Sequence, residues 1–402
     1  MSEIIDVDSH FQEPPDWLVE ADAELAARVD PRWYFRTSTQ DLFGFFSDGA
    51  PEERLAVDAE RLTASIQQSQ DFFAGFPTLK EAAAAAGESR FRGMAYPFGG
   101  YLPDERLAWM DKNEITAQII NPASALVTVQ RVSEYLEPED VPRTIQAYNN
   151  WAGEVVKGHT DRMLTTSLLW WEDVDWCVRE LRRTREMGAR AFLIPGRPPA
   201  GRSLAHEAYE PIWAAASELG MLGVLHFGFL GGPQVAPGWY ETGRDELKDV
   251  GYALASIHPT TPQLASAALI ASGVFERHPG FHLTLQEYQA TGWAPDWVHG
   301  LDYLLDLPVL RNITGRWSLP LKPSEYFRRQ VLVVAQPGDR VQRAIDELGE
   351  GCVVFSSDFP HPEGSSTPTR EFRELLEKEP VSQSKADSFY GRRMREILSG
   401  TA

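Results

Sequence analysis

The stretch Ile4-Ile5-Asp6-Val7-Asp8-Ser9-His10, close to the N-terminus, has the pattern of a short buried strand that ends in acidic and imidazole side chains. Side chains alternate along a strand, so residues two apart face the same side of a sheet. Asp6, Asp8 and His10 are therefore predicted to share one face if the strand extends to His10. A carboxylate and an imidazole at this spacing can bind one metal ion, through oxygen and nitrogen respectively.

A second stretch, Cys352-Val353-Val354-Phe355-Ser356-Ser357-Asp358, repeats this arrangement near the other end of the chain. Its apolar residues predict a buried strand, and Asp358 follows directly after it. Two strands almost a full chain length apart thus both end in groups that can bind metal. Closed α/β barrels place their active sites at the carboxyl ends of their strands, so the two motifs together predict such a barrel.

Strand-like and helix-like segments alternate along most of the chain. The predicted strands lie at 4–7, 115–121, 163–168, 189–195, 221–226, 281–286, 330–335 and 352–357, and predicted helices lie at 141–159, 173–187, 205–219, 262–275, 295–304 and 338–348. This alternation favours parallel strands with right-handed crossovers, and eight such units close into a barrel. An open doubly wound sheet is the alternative, but the sequence contains no glycine-rich nucleotide-binding turn.

Residues 12–105 lack clear strand signals and are predicted to form a mostly helical insertion within a single domain of 402 residues. The insertion is rich in aromatic residues. Two of them, Trp17 and Tyr96, are predicted to line an apolar substrate pocket. A small satellite core explains the aromatic residues equally well, as does a contact between two copies of the chain, which would make the protein a homo-oligomer.

The composition of the chain excludes some kinds of binding partner. The formal net charge of −20 argues against nucleic acid and against an anionic membrane surface. The sequence has neither a secretory signal pattern nor an apolar run of the ~20 residues that a membrane span needs. We therefore expect a cytoplasmic protein that acts on a small-molecule substrate. Cys177 and Cys352 are predicted to be buried, reduced thiols.

Two further predicted strands end in candidate ligands, His226 and Glu287. Taken alone, His226 could be a hydrogen-bonded structural residue and Glu287 could pair with an arginine. Together with Asp8, His10 and Asp358, however, they form a set of polar groups at the same end of the predicted barrel. Such a set would be costly to bury without compensation, and a divalent cation would offset that cost.

The chain resembles the metal-dependent amidohydrolases of the branch related to aminocarboxymuconate-semialdehyde decarboxylase. The resemblance covers most of the chain and rests on the opening Asp-Val-Asp-Ser-His with Glu13-Pro14 and on segments 148–151, 161–162, 209–213, 272–279, 323–326 and 357–361. It implies a distorted (β/α)8 TIM barrel. It also implies a metal ion held by Asp8, His10, His226 and Asp358.

Two departures from the pattern of these relatives affect the expected metal. Many relatives open with His-x-His, where this chain has Asp8-Ser9-His10, and many end the sixth strand with a histidine, where this chain has Glu287. The additional carboxylates make the site harder and more anionic, which favours manganese or iron over zinc. The set suits either one ion with a carboxylate base or two bridged ions, so Glu287 is predicted to be a ligand or a base.

These residues predict an enzyme, and two reaction types are consistent with them. A hydrolase would use metal-bound water, its pKa lowered toward ~7, with Asp358 or Glu287 accepting the proton, to cleave an amide, thioester or C–C bond. The alternative is a non-oxidative decarboxylase of an aromatic or unsaturated carboxylic acid. A non-catalytic scaffold would not need the full set of polar strand ends. His361 is predicted to contact substrate or to be structural. Glu13 is predicted either to orient His10 or to be an ordinary loop acid.

Overall fold

The computed structural model describes residues 3–14, 17–29, 99–228, 258–309, 317–361 and 364–401. Its strands are β1 (Ile5–His10), β2 (Ala117–Asn121), β3 (Met163–Ser167), β4 (Ala191–Ile194), β5 (Leu222–His226), β6 (Leu283–Gln286), β7 (Val331–Val334) and β8 (Val353–Val354). Each strand pairs in parallel with the next one along the chain. The predicted (β/α)8 barrel is confirmed.

The barrel closes where β1 meets the chain after β8. Asp358 N donates a hydrogen bond of 2.8 Å to Asp8 O, and His10 N donates one of 2.7 Å to Phe359 O. A parallel bridge joins Ser9 to Phe359 at the same level. Closure therefore brings the two motifs from opposite ends of the sequence into direct backbone contact.

Helices alternate with the strands. The α-helices are Trp17–Ala21, Ala23–Ala26, Pro103–Lys112, Ser124–Tyr135, Asp140–Val155, Val174–Glu186, Glu210–Leu219, Thr260–Ala271, Val274–Arg277, Ala294–Asp306, Pro323–Gln330, Val341–Leu348, Pro368–Lys378, Gln383–Asp387 and Arg393–Ser399. Short 3-10 turns span Pro199–Gly201 and Glu207–Tyr209, and a π-helical turn spans Ser388–Arg392. None of the described helices is both long and apolar enough to cross a bilayer.

The strands β4 and β7 are continuous apolar runs, as is typical of parallel sheets whose two faces are covered by helices. Every residue of β7, for example, is buried. Close packing continues at the N-terminal side of β1, where a Cβ on Gly391 would overlap the carbonyl oxygen of Glu3. The C-terminal turn thus packs directly against the first strand. Both cysteines are buried free thiols, as predicted.

Several predicted boundaries shift for identifiable reasons. The predicted helix 262–275 is interrupted at Gly273, which adopts a φ of 75° in the left-handed region that glycine favours. The helix Ser124–Tyr135 was not predicted, because its sequence is rich in β-branched residues and its N-terminus is capped from a distance by Glu13. Of the predicted insertion, residues 30–98 lie outside the described residues, so its extent stays a prediction.

Candidate metal centre

Six buried side chains converge at the carboxyl ends of the strands. They come from β1, from β5, and from the segments directly after β6 and β8, and each is 8% exposed or less: Asp8, His10, His226, Glu287, Asp358 and His361. This is the end of the barrel at which the sequence predicted that the first five would meet. All five predicted metal-site residues are therefore close neighbours in the fold, and His361 lies among them.

The ligand atoms lie at distances that suit a shared cation. His10 Nε2 is 3.1 Å from His226 Nε2, 3.4 Å from Asp8 Oδ1 and 3.5 Å from Asp358 Oδ1. Around an ion with bonds of about 2.0–2.2 Å, ligand atoms are separated by similar distances. Two overlapping groups of candidate ligands meet at His10, one with Asp8 and His226 and the other with Glu287, Asp358 and His361.

The two histidines on β1 and β5 are oriented by backbone carbonyls. His10 Nδ1 lies 3.2 Å from Pro122 O, and His226 Nδ1 lies 2.6 Å from Phe227 O. Each Nδ1 is assigned as the donor, which leaves each Nε2 with a lone pair, the arrangement typical of metal-binding histidines. Two lone pairs facing each other are unfavourable unless a cation lies between them.

Pro122 thus supplies the orienting contact to His10 that was expected from Glu13. The carboxylate of Glu13 instead accepts hydrogen bonds from Ala123 N (3.0 Å) and Ser124 N (2.8 Å), at the start of the helix Ser124–Tyr135. Glu13 is a helix-capping residue, and the predicted role of orienting His10 is wrong.

The carboxylates at the centre are in electrostatic conflict. Burial raises the pKa of Asp8 well above its usual range, and the neighbouring Asp358 and Glu287 raise it further. Asp8 Oδ2 is buried and has no hydrogen-bond partner among the described residues. A divalent cation would relieve the repulsion and supply the missing partner. The donor set of carboxylate oxygens and imidazole nitrogens therefore fits a divalent metal ion.

His361 bridges two of the carboxylates. Its ring stacks on His10 at a centroid distance of 3.8 Å, and its Nδ1 lies 3.0 Å from Asp358 Oδ1 and 3.3 Å from Glu287 Oε1. Burial lowers the pKa of His361, but Asp358 and Glu287 outweigh burial, so the pKa is well above its usual value. Burial likewise raises the pKa of Glu287, while His226 and His361 lower it by more. The two carboxylates therefore favour the protonated form of His361.

Glu287 and Asp358 both occupy the left-handed backbone region, with φ of 60° and 52°. This conformation costs a residue other than glycine about 1–3 kcal/mol and occurs mainly where surrounding contacts enforce it. The carbonyl of Glu287 is hydrogen-bonded to His258 Nε2 at 2.7 Å. His258 was not predicted to belong to the site, because it lies at no strand end. The strain at both carboxylates is consistent with a functional rather than a packing role.

Several supporting residues were not recognised in the sequence. Arg106 is fully buried and donates hydrogen bonds to His10 O and Gly100 O. Burial lowers its pKa to about 9, although Asp6 partly offsets this. Asp6 does not join Asp8 and His10: its carboxylate accepts hydrogen bonds from Ser357 N and Oγ, and the register of β1 shifts after it. Burial raises the pKa of Asp6 to about 6 despite these donors.

Of the two aromatic residues that were predicted to contact substrate, Trp17 is not among the converging side chains. Trp17 is fully buried, and its ring packs against Tyr148 and Trp151 with centroid distances of 6.2 and 6.4 Å. Tyr96 lies outside the described residues. A substrate contact for either of them stays a prediction, as does one for His361.

The chain matches the Amidohydrolase family model over residues 5–391 and belongs to that family. Gamma-resorcylate decarboxylase of Rhodococcus jostii (strain RHA1) is 26% identical over 279 residues, which are 64% of this chain and 77% of that protein. An amidohydrolase from Mycobacterium avium subsp. paratuberculosis K-10 superimposes with a TM-score of 0.67 at 18% identity, covering 99% of both chains.

A dihydroxybenzoic acid decarboxylase from Polaromonas sp. JS666, solved with manganese and the inhibitor 2-nitroresorcinol, has a TM-score of 0.59 at 16% identity. The superposition covers 98% of that chain and 100% of this one. At these identities the structural likeness shows the fold alone.

The family match confirms the resemblance inferred from the sequence motifs and makes this protein an enzyme of the amidohydrolase superfamily. The comparisons favour decarboxylation, the alternative expectation, over hydrolysis, the main one.

Proposed function

We propose that this protein is a metal-dependent, non-oxidative decarboxylase of an aromatic carboxylic acid. The observation that carries the proposal is the buried contact between His361 and Asp358, 3.0 Å long, beside the candidate metal ligands. The contact places an imidazole whose pKa the carboxylates raise next to the position of a cation, where it can pass a proton to Asp358, and replacing a carboxylate by hydrogen requires one proton. The curated relative, a gamma-resorcylate decarboxylase, supports this choice of reaction.

Asp8, His10, His226 and Asp358 would hold the ion, with Glu287 beside them. The harder, carboxylate-rich donor set favours manganese or iron over zinc, and a structural neighbour that acts on dihydroxybenzoic acid contains manganese. When bound, such an ion orients the carboxylate of a substrate and neutralises its charge. Proton transfer to the substrate is then carried out by side chains of the protein.

The reaction breaks the bond between the ring carbon and the carboxylate and forms a C–H bond in its place. Carbon dioxide leaves without the bonding electron pair, which stays on the ring, and one proton must reach that carbon. Asp358 is the proposed donor, acting as a general acid, and His361 restores its proton. Together with Asp358, Glu287, which lies 3.3 Å from the same imidazole nitrogen, favours the charged form of His361.

The test is to measure which bond the purified, manganese-loaded protein cleaves. Release of carbon dioxide from 2,6-dihydroxybenzoate, 5-carboxyvanillate and related aromatic acids is compared with release of acid from a panel of esters and thioesters. We expect carbon dioxide from at least one acid, with the rate abolished in Asp358→Asn and unchanged in the exposed control Glu154→Gln. Acid release from the esters or thioesters without any carbon dioxide would reject the proposal in favour of a hydrolase.

A further inference from the structure

A line of hydrogen-bonded side chains crosses the interior of the barrel at the level of the candidate metal ligands. Asn121 Nδ2, at the end of β2, donates to Asp8 Oδ1 (2.9 Å) and to Gln286 Oε1 (2.8 Å) at the end of β6. Thr166 Oγ1 on β3 donates to Asn121 Oδ1 at 2.7 Å. We call Asn121, Gln286 and Thr166 the crossbar. In a ring of eight strands β2 and β6 are opposite each other, so the crossbar spans the full width of the barrel.

The register of the strands places the crossbar beside the two metal-binding imidazoles. Asn121 is the pairing partner of His10, and Gln286 is the pairing partner of His226. Gln286 also directly precedes Glu287. The crossbar thus connects the backbone positions that carry several of the candidate ligands.

The contacts determine the orientation of both amides. Gln286 Nε2 donates to Val7 O at 2.7 Å, so its Oε1 must be the atom that accepts from Asn121. Turning the Asn121 amide over would place its oxygen against Gln286 Oε1 and the Asp8 carboxylate, three acceptors together, and would leave the Thr166 hydroxyl without its acceptor. All three crossbar residues are 1% exposed or less. Because the crossbar is buried, bulk water cannot replace a lost contact.

We propose that Asn121 is a positioning residue that fixes the plane of the Asp8 carboxylate for the cation. Its Nδ2 group occupies one lone pair of Asp8 Oδ1, which leaves the other lone pair and the whole of Oδ2 for the cation. Its second hydrogen bond sets the separation between β2 and β6. The proposal rests on the metal site of the proposed function and deepens it by assigning a residue that touches neither substrate nor metal.

A merely structural role for Asn121 makes a different prediction, and the chain offers a matched control. Asn149 is also buried, and its side chain also makes three hydrogen bonds, to Leu168 O (3.1 Å), from Leu168 N (2.9 Å) and to Glu180 Oε1 (2.7 Å). Asn149 and Glu180 lie on the outer helices rather than inside the barrel. Asn121→Ala and Asn149→Ala therefore remove the same number of buried hydrogen bonds at two different places.

The experiment is calorimetric titration of manganese into metal-stripped protein, without substrate. We expect Asn121→Ala to bind manganese about 10–100-fold more weakly than the parent, the usual effect of removing a group that orients a metal ligand. Asn149→Ala should retain the affinity of the parent although its apo form unfolds at a lower temperature. Thr166→Val keeps the shape of the side chain but removes the donor to Asn121 Oδ1, and it should have an intermediate affinity.

Parent-like affinity in Asn121→Ala, or an equal loss in both asparagine variants, would overturn the proposal. If Asn121→Ala does not fold, Thr166→Val decides: parent-like affinity there would also overturn it. Because no substrate is present, the result is independent of the reaction. A parent that binds manganese but releases no carbon dioxide refutes only the decarboxylase assignment, whereas a parent that binds no divalent ion overturns the role of Asn121.

Discussion

Replacing Asp8 by asparagine should stabilise the metal-free protein while it weakens metal binding. Asp8 is fully buried, and both burial and its carboxylate neighbours Asp358 and Glu287 raise its pKa. Asparagine has nearly the same shape, carries no charge and can donate a hydrogen bond to a neighbouring carboxylate. Removing one buried, uncompensated polar group raises the free energy of unfolding by about 1–3 kcal/mol. The melting temperature of a large domain changes by roughly 2–4 °C for each kcal/mol.

The stabilisation should depend on pH in a defined direction. Because the pKa of Asp8 is higher in the folded than in the unfolded protein, its ionisation costs stability above the unfolded value of about 3.9. That cost is absent at lower pH and grows as the pH rises from there toward the folded pKa. The advantage of Asp8→Asn over the parent should therefore be large at pH 7 and fade as the pH approaches 4.

The assay is thermal unfolding of chelator-treated protein at both pH values, combined with manganese titration. Asp6→Asn is the control, two residues earlier on the same strand and equally buried. The Asp6 carboxylate accepts hydrogen bonds from Ser357 N (2.9 Å) and Gln118 Nε2 (2.7 Å), so an amide there would face donors and should destabilise the protein. A metal-free Asp8→Asn variant no more stable than the parent at pH 7 would refute the claim that the carboxylates are in conflict.

Four further substitutions, two at candidate ligands and two at glycines, test the metal site. His226→Ala should remove most of the metal, measured by elemental analysis, with an unchanged circular dichroism spectrum; stoichiometric metal in this variant would contradict its assignment as a ligand. Glu287→Gln should lower the metal content if Glu287 is a ligand, or lower turnover at normal metal content if it acts only on protons, and full activity with normal metal would reject both roles. In Gly364→Ala the new Cβ would lie 2.7 Å from Ser357 O, so the segment after β8 must move and manganese should bind more weakly. Gly300→Ala, which meets nothing within 4 Å, should leave binding unchanged and stabilise its helix by up to ~1 kcal/mol; equal effects in the two glycine variants would exclude the steric explanation.

The barrel was predictable because its strands are short apolar runs with polar residues at one end. That pattern located His226 and Glu287 although neither belongs to a recognisable local motif. It failed at the end of β8, predicted at 352–357 and observed as Val353–Val354. There the chain leaves the regular ladder to meet β1 through Phe359, a contact that depends on barrel closure and has no local signal.

The supporting residues could not be predicted from the sequence for the same reason. Asn121 ends a strand, as the ligands do, but its hydrogen bond to Gln286 crosses the whole barrel. Arg106 is an ordinary helical arginine in the sequence and becomes a buried donor to the carbonyl of His10 only in the fold. Strand-end position identifies candidate ligands, whereas the residues that orient them are determined by packing between distant segments.

The most direct test of the central claim is the rate of carbon dioxide release from 2,6-dihydroxybenzoate or a related aromatic acid as manganese is added to metal-stripped protein. Stripped protein should release none, activity should rise with added manganese to a plateau, and His226→Ala should stay inactive over the same range. Undiminished carbon dioxide release by stripped protein would contradict a metal-dependent decarboxylase at this site.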